Sequence, residues 1–438
     1  MSSDAGPNHR PRPRPFRTNR PRPFRALRTP NYRLFFTGQI LSVIGTWTQN
    51  TAVAWIVLAN DASPVALGVI VALQFTPLLL LGAWAGAIAD HHDKPRLLQI
   101  TSIAGALIAL TTAVLVTAGH RSPQVLGIMA LLAGVAAAFE TPTRQSLAAE
   151  LVAPADLPSA VGLNGAIMTS SRLVGTAVAG LLIAGVGPEA CLYLNAVSFL
   201  AVVVAMTRMR RQDFNPVVRA PGGKGQIRLG LRYALTHPEV RLPLVAMAVV
   251  GTLALNQQVT TPLLARITFD AGPGLFAAFG SISGAGALLG ALTAASRRSA
   301  GATLIGQAAL LFGLAAVGVA LAPTAAVALP LLALTSFGAS VYVAATNSRL
   351  QHVADPAFRA RVVALYAILF LGSTPVGSLL IGLVSKVSSP QVAIGLGGVA
   401  AAATGVVVWY HTARSAHTAG RASSLGPTAT PTGARSLD

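Results

Sequence analysis

The sequence predicts an all-α integral membrane protein with twelve transmembrane helices in two six-helix halves of parallel topology. Three observations carry this. The chain is 53% hydrophobic and 10% charged with a mean hydropathy of +0.63, whereas soluble domains carry about 25% charged residues. Its apolar residues fall into twelve runs near the ~20 residues that a helix needs to cross the hydrocarbon core. Its basic residues sort onto alternate connections between those runs, as positive charge on one side of a membrane does.

The runs lie near residues 33–59, 65–89, 97–118, 124–141, 159–185 and 189–207, then 241–264, 274–296, 301–321, 325–346, 360–384 and 391–411. The fourth, seventh and eleventh carry polar residues inside. Pro77 and Pro375 fall within runs, which membrane helices tolerate when neighbours satisfy the freed backbone groups. The chain therefore divides into a tail over 1–32, a first half over 33–207, a linker over 208–240, a second half over 241–411 and a tail over 412–438. The first tail reads PRPRPFRTNRPRPFRALR and has no apolar core or cleavage site for a signal peptide. Arg/Pro composition of this kind favours disordered, polyproline-like states, and the second tail is expected to be disordered too.

With the N-terminus placed in the cytoplasm, 28 of the 32 Lys and Arg fall on the inner side and three, Arg121, Arg266 and Lys386, on the outer side. Moving the count by one helix destroys this alternation. Both termini are then cytoplasmic, and the protein is a multi-pass protein of the plasma (inner) membrane. Topology accounts for the net charge of +19 better than a nucleic-acid surface does, and 6% aromatic residues give base stacking no support. Arg172 alone lies inside a span.

The two halves share a pattern at a shift of 202 residues. Ser171, Val174, Gly175, Thr176, Gly180 and Leu181 in the fifth span fall on Ser373, Val376, Gly377, Ser378, Gly382 and Leu383 in the eleventh. The glycines Gly175, Gly180, Gly377 and Gly382 read as helix-packing positions, since small residues let membrane helices approach closely. A repeat of this kind places a substrate site between the halves, near the midplane.

The first two spans, LFFTGQILSVIGTWTQNTAVAWIVL and SPVALGVIVALQFTPLLLLGAWAGAIADHHDKPRLL, resemble the major facilitator superfamily. Together with FETPTRQSLAAELVAPADLPSAVGLN and QHVADPAFRARVVALYAILFLGSTPVGSLLIG they resemble its enterobactin-exporter-like branch, the transmembrane secretion effectors. The likeness extends over about residues 31–410. The superfamily's 2–3 loop reads roughly G-x-x-x-D-R/K-x-G-R/K-R/K. Gly86 and Asp90 match it, Lys94 and Arg96 supply basic residues, and His91 and Asp93 depart from it. The resemblance implies the major facilitator fold and a gating role for Gly86, Asp90, Lys94 and Arg96; an ordinary solvated loop is the plain alternative. In the second half Ala294 stands where the acid would be. The antiporter glycine motif of span 5 is also incomplete here, lacking its proline and two of its glycines.

Ionisable groups inside a span are functional candidates by default. Arg172 sits about 13 residues from either end of its run, roughly 20 Å deep, and is either a structural tie or a substrate contact. Glu140 stands near the inner end of the fourth run with Arg144 at i+4. It reads as a surface ion pair or, with Asp90, as a candidate proton site. Uncharged polar residues cluster in spans 1, 2, 5 and 7. Of these, Gln49, Asn50, Gln74, Asn164, Asn256 and Gln257, with Arg172 and Tyr366, are the candidate substrate path; hydrogen bonding between helices is the alternative for the amides. Trp47, Trp55 and Phe75 either stack on substrate or pack. No carboxylate or histidine lies near the middle of a run.

No cofactor or metal site is indicated. No phosphate-binding G-x-x-x-x-G-K-S/T occurs, adjacent His91 and His92 suit no metal, and the one cysteine, Cys191, excludes an internal disulfide. No enzyme motif stands out. The expected function is secondary active export of a small amphiphilic or hydrophobic compound by alternating access. The resemblance adds drugs, siderophores or secreted metabolites as substrates and proton antiport as the coupling. The alternatives are an uncoupled facilitator or lipid flippase, and a non-transporting scaffold or sensor. The expected partners are the small-molecule substrate, protons and membrane lipids, with no nucleic acid, and the chain is expected to be a monomer.

Overall fold

Proline marks where the helices begin. Pro30, Pro64, Pro123, Pro188, Pro238, Pro273 and Pro390 each take the first helical position, where a missing N–H costs nothing and φ is already helical. The side chains of Ser63, Ser122 and Asp93 cap three starts by accepting from the N–H groups of Ala66, Val125 and Arg96. Such caps satisfy backbone donors that the first turn leaves over.

The computed structural model describes residues 24–60, 63–214, 226–297 and 301–424. The first half holds α1 (Pro30–Asn60), α2 (Pro64–His91), α3 (Lys94–Thr117), α4 (Pro123–Glu150), α5 (Leu157–Gly185) and α6 (Pro188–Thr207). A short helix, α7 (Gln226–Thr236), precedes the second half. That half holds α8 (Pro238–Leu253), α9 (Gln257–Leu263), α10 (Pro273–Ser296), α11 (Ala302–Ala320), α12 (Ala325–Val353), α13 (Arg359–Val387) and α14 (Pro390–Ser424). No strand occurs among the described residues. Eleven helices there are long and apolar enough to cross a membrane, with α8, α9 and the π turn Leu264–Thr268 counted as one span. The twelfth is α1. Its 31 residues are ample for the ~30 Å core, but Gln39, Thr46, Thr48, Gln49, Asn50 and Thr51 dilute its apolarity.

Several boundaries differ from the sequence expectation. Residues 24–32, expected in the disordered tail, form a 3-10 turn at Arg25–Arg28 and the start of α1. The reason is burial: Ala26 and Tyr32 are fully enclosed, and the Tyr32 hydroxyl donates to the Ala160 carbonyl at 2.9 Å. α4 does not stop at 141 but runs through Pro142 to Glu150. Thr143 Oγ1 donates to the Phe139 carbonyl at 2.7 Å beside the bond that Pro142 cannot make. The linker contains α7, held by Tyr233, which stacks on Phe358 at 4.3 Å and donates to Asp355 Oδ2 at 3.1 Å. The seventh span breaks between α8 and α9, where Asn256 leaves helical geometry. α14 continues beyond 411 to Ser424. The remainder of both tails, 1–23 and 425–438, lies outside the described residues.

The halves pack alike. α1 lies against α5 and α6, as α8 lies against α13 and α14; α2 pairs with α4, as α10 pairs with α12. Across the interface α5 meets α10 and α2 meets α13. One face carries the start of α1 and the α2–α3 connection and is termed the basic face; the opposite face is the far face. At the far face a single apolar core spans both halves, joining Val57, Leu67 and Ile183 to Leu264, Phe276 and Ile381. Toward the basic face the cores are separate. One groups Tyr32, Phe35, Leu147 and Val202, the other Tyr233, Val240, Leu244 and Val362. The protein is thus sealed between its halves at the far face and divided at the basic face.

Candidate functional site

Immediately beneath the far-face seal lies a cavity of about 90 Å³ between the halves. It draws Trp47, Gln49 and Asn50 from α1, Gln74 from α2, Arg172 and Thr176 from α5, Gln257, Gln258 and Thr261 from α9, and Phe276 from α10. The rest of the wall is largely apolar, with Leu67, Ile70, Leu126 and Met129 among its members. Ligand sites usually combine such walls with a few directed polar groups. Drug-sized ligands need about 300–1,000 Å³, so this conformer is too tight to hold one without movement.

Arg172 dominates the cavity's electrostatics. Its Nη1 donates to Gln257 Oε1 at 3.2 Å and its Nη2 to Ser283 Oγ at 3.3 Å. Ser283 in turn lies 2.8 Å from Ser336 Oγ. The guanidinium carbon sits 5.2 Å from the centre of the Trp47 ring, a cation–π contact. All of these partners are neutral, and two of them belong to the other half. One turn farther toward the far face, Thr176 Oγ1 and Ser281 Oγ approach to 3.3 Å across the same interface.

The amides expected on the path separate into two groups. Asn50, Gln74, Gln49 and Gln257 all line the cavity. Gln74 Nε2 donates to Asn50 Oδ1 at 3.2 Å, and Asn195 Nδ2 donates to Gln49 Oε1 at 2.8 Å. Asn256, by contrast, is 2% exposed and does not line it. Its Nδ2 donates to the Thr252 carbonyl at 2.8 Å, so it secures the α8–α9 break. Asn164 also lies off the cavity, eight residues before Arg172 and hence about 12 Å nearer the basic face. Tyr366 is 6% exposed, and its hydroxyl donates to the Val343 carbonyl at 2.9 Å inside the second half. It packs α13 against α12 and does not line this cavity.

Glu140 does not sit at a helix end, because α4 runs ten residues beyond it. It is half-buried, and Arg144 one turn on is 9% exposed. Arg144 Nη2 reaches only Met168 Sδ, at 3.6 Å, and its Nε is buried without a partner. Both residues are therefore internal, not on the surface as an ion pair there would be.

Lys94 and Arg96, two of the expected gate residues, pair within the first half. Lys94 Nζ lies 2.8 Å from Glu150 Oε1, pinning the start of α3 to the end of α4. Arg96 is an exposed partner of Asp93 at 3.6 Å, and Asp93 also pairs with Arg211 beyond α6. Asp90 is exposed at the end of α2. Gly86 makes no close helix approach: a Cβ there would stand 3.9 Å from Pro142 Cβ, an ordinary contact. Residues missed from the sequence are Ser283 and Glu150. A single serine in the Gly/Ala-rich α10 carries no signal of its own, and Glu150 becomes Lys94's partner only because α4 extends past Pro142.

The transmembrane secretion effector family model matches residues 22–431. The chain belongs to this family. Its relatives and structural neighbours are major facilitator transporters, and it is a multi-span membrane transporter rather than an enzyme. The staphyloferrin A transporter of Staphylococcus aureus is 33% identical over 176 residues, 40% of this chain and 44% of that protein. That match thus spans less than half of the relative's length. The multidrug efflux pump Tap of Mycobacterium tuberculosis is 26% identical over 376 residues, covering 81% of this chain and 87% of that protein. Among solved structures, a bacterial homologue of the human lysosomal transporter Spinster, inward-facing and unoccupied, matches with a TM-score of 0.66 at 15% identity over 88% of this chain and 95% of that one. The nucleoside transporter NupG matches with a TM-score of 0.64 at 14% identity over 88% and 98%. Both confirm the major facilitator fold.

Proposed function

We propose that this transporter exports a small amphiphilic or hydrophobic compound by alternating access, driven by antiport against protons. The observation that carries the reading is the cavity between the halves, sealed at the far face by one shared core and flanked toward the basic face by two separate cores. A substrate enters from the basic side, the halves rock about the cavity, and the far-face core parts. The basic face is cytoplasmic, both termini lie there, and the protein works as a monomer in the plasma membrane. Arg172, Gln49, Asn50, Gln74 and Gln257 line the path, Asp90, Lys94 and Arg96 steady the cytoplasmic ends, and Glu140 carries the proton. The relatives named for multidrug efflux and for staphyloferrin A support a drug, siderophore or secreted metabolite as cargo.

One observation favours an uncoupled facilitator as the second reading: no carboxylate lines the cavity among the described residues. Purified protein in proteoliposomes separates the two. Under antiport, an imposed pH gradient drives a tested compound uphill, and Glu140→Gln abolishes that accumulation while leaving downhill exchange. Accumulation indifferent to the gradient would sink proton coupling. Failure to move any compound across a broad panel would sink export itself.

A further inference from the structure

Arg172 is the only ionisable side chain lining the cavity among the described residues. No Asp or Glu lies within ion-pair distance of it among them. A cation held in a largely apolar space at this depth is costly unless something neutralises it. The protein offers its guanidinium only two neutral acceptors, Gln257 Oε1 and Ser283 Oγ, for five N–H donors.

Three of the amide oxygens on the wall are already engaged. Gln49 Oε1 is occupied by Asn195, Asn50 Oδ1 by Gln74, and Gln257 Oε1 by Arg172 itself. Meanwhile Gln257 Nε2 is buried without a partner, and so is the hydroxyl oxygen of Thr261. Both residues line the same space. The cavity therefore presents one positive charge and spare N–H and O–H groups, walled by Trp47, Phe276 and Met129.

We infer that the cargo carries an anionic oxygen group, of the carboxylate kind, on an apolar or aromatic body. The anion pairs with Arg172 and takes hydrogen bonds from Gln257 and Thr261, while the body lies against the Trp47 and Phe276 side of the wall. A planar guanidinium suits a two-oxygen anion because two parallel N–H groups can address it. A cationic cargo meets like charge here, and a neutral one leaves the guanidinium uncompensated. This assignment rests on the cavity being the transport path.

The test compares three aromatic probes of matched size, 1-naphthoate, 1-naphthalenemethanol and 1-naphthylmethylammonium. Binding to the purified full chain is measured by calorimetry, and flux in proteoliposomes. Wild type should bind the anion at least about tenfold more tightly than either partner, the scale of one charged hydrogen bond. Arg172→Gln should erase that preference, and Arg172→Lys should retain part of it. Tighter binding of the alcohol or the amine by wild type would overturn the inference, and so would an anion preference that Arg172→Gln leaves intact. If Arg172→Gln does not fold, the wild-type ranking and the Arg172→Lys variant still decide. Anion-selective, Arg172-dependent binding without flux would sink the transport reading and leave this one standing. Flux without anion preference would do the reverse.

Discussion

Gly180 and Gly382, 202 residues apart, do the same work in opposite halves. A Cβ on Gly180 would come within 2.0 Å of Ala277 Cβ in α10, and one on Gly382 within 2.8 Å of the Pro64 carbonyl in α2. Each therefore lets the fifth helix of its half press against the second helix of the other. Their upstream partners differ in the same symmetric way. A Cβ on Gly175 would come within 2.7 Å of the Ile44 carbonyl of α1, and one on Gly377 would collide with the Thr252 carbonyl of α8, both within one half. The repeat thus encodes an internal contact followed, five residues later, by a contact across the interface.

That division predicts different outcomes for one substitution. Gly180→Ala should push the halves apart at the far face, because the moving interface there can yield. Overpacking of this kind costs about 1–3 kcal/mol, enough to shift a two-state balance roughly 5- to 150-fold. Spin labels at Val186 and Leu321, both 77% exposed at the far face, should report a longer distance. Gly175→Ala should leave that distance unchanged and lower the melting temperature, since α1 and α5 belong to one rigid half. Equal melting losses with no change in label distance for either variant would refute the division.

Lys94 and Glu150 form a pair whose side chains are each 13% exposed. Removing one partner strands the other in a site with little water. Glu150→Gln should therefore cost about 1–3 kcal/mol, the usual penalty for an unsatisfied buried polar group, read as a lower melting temperature. The double exchange Lys94→Glu with Glu150→Lys should recover more than half of the loss. Were the pair a gate rather than a brace, Glu150→Gln would change transport rate without changing stability.

Much of this architecture was legible because membrane physics writes it coarsely. Apolar runs, basic loops and the repeated glycines report on the bilayer and on helix contact directly. The residues that lie off the cavity share a different cause. Asn256 and Tyr366 are polar residues in apolar runs, and sequence alone cannot separate one facing a cavity from one satisfied by a carbonyl a helix away. α4 passed beyond its expected end because Pro142 reads as a stop in water but is tolerated among packed helices. Arg172 stood out in sequence because few groups can be charged at that depth; its partners Gln257 and Ser283 needed the three-dimensional arrangement.

Asp93 combines two roles that one substitution can separate. Its Oδ1 accepts from the Arg96 N–H at 3.2 Å, capping α3, and its Oδ2 pairs with Arg211. The ion pair is half exposed, and exposed pairs contribute only about 0–1 kcal/mol. Asp93→Asn keeps the cap and loses the pair, so its melting temperature should stay close to wild type. Asp93→Ala loses the cap as well and should cost about 1 kcal/mol. A large loss in Asp93→Asn would instead mean that the Arg211 contact holds the start of the linker in place.

Tyr366 offers a test of which polar residues belong to the path. Its hydroxyl is committed to the Val343 carbonyl, and its ring lies parallel to that of Phe370 at 6.2 Å, within the second half. Tyr366→Phe keeps the ring and removes only the hydroxyl's bond to a carbonyl that α12 also uses. It should lower stability by about 1 kcal/mol, while the affinity for any transported probe stays unchanged. Asn50→Ala should do the opposite. Asn50 lines the cavity and accepts from Gln74, so its loss frees a donor on the wall and alters ligand affinity with little effect on melting. Measuring both quantities for both variants distinguishes packing from path. Weakened binding in Tyr366→Phe alone would return Tyr366 to the substrate route, reached in a conformer where α12 and α13 open toward the basic face.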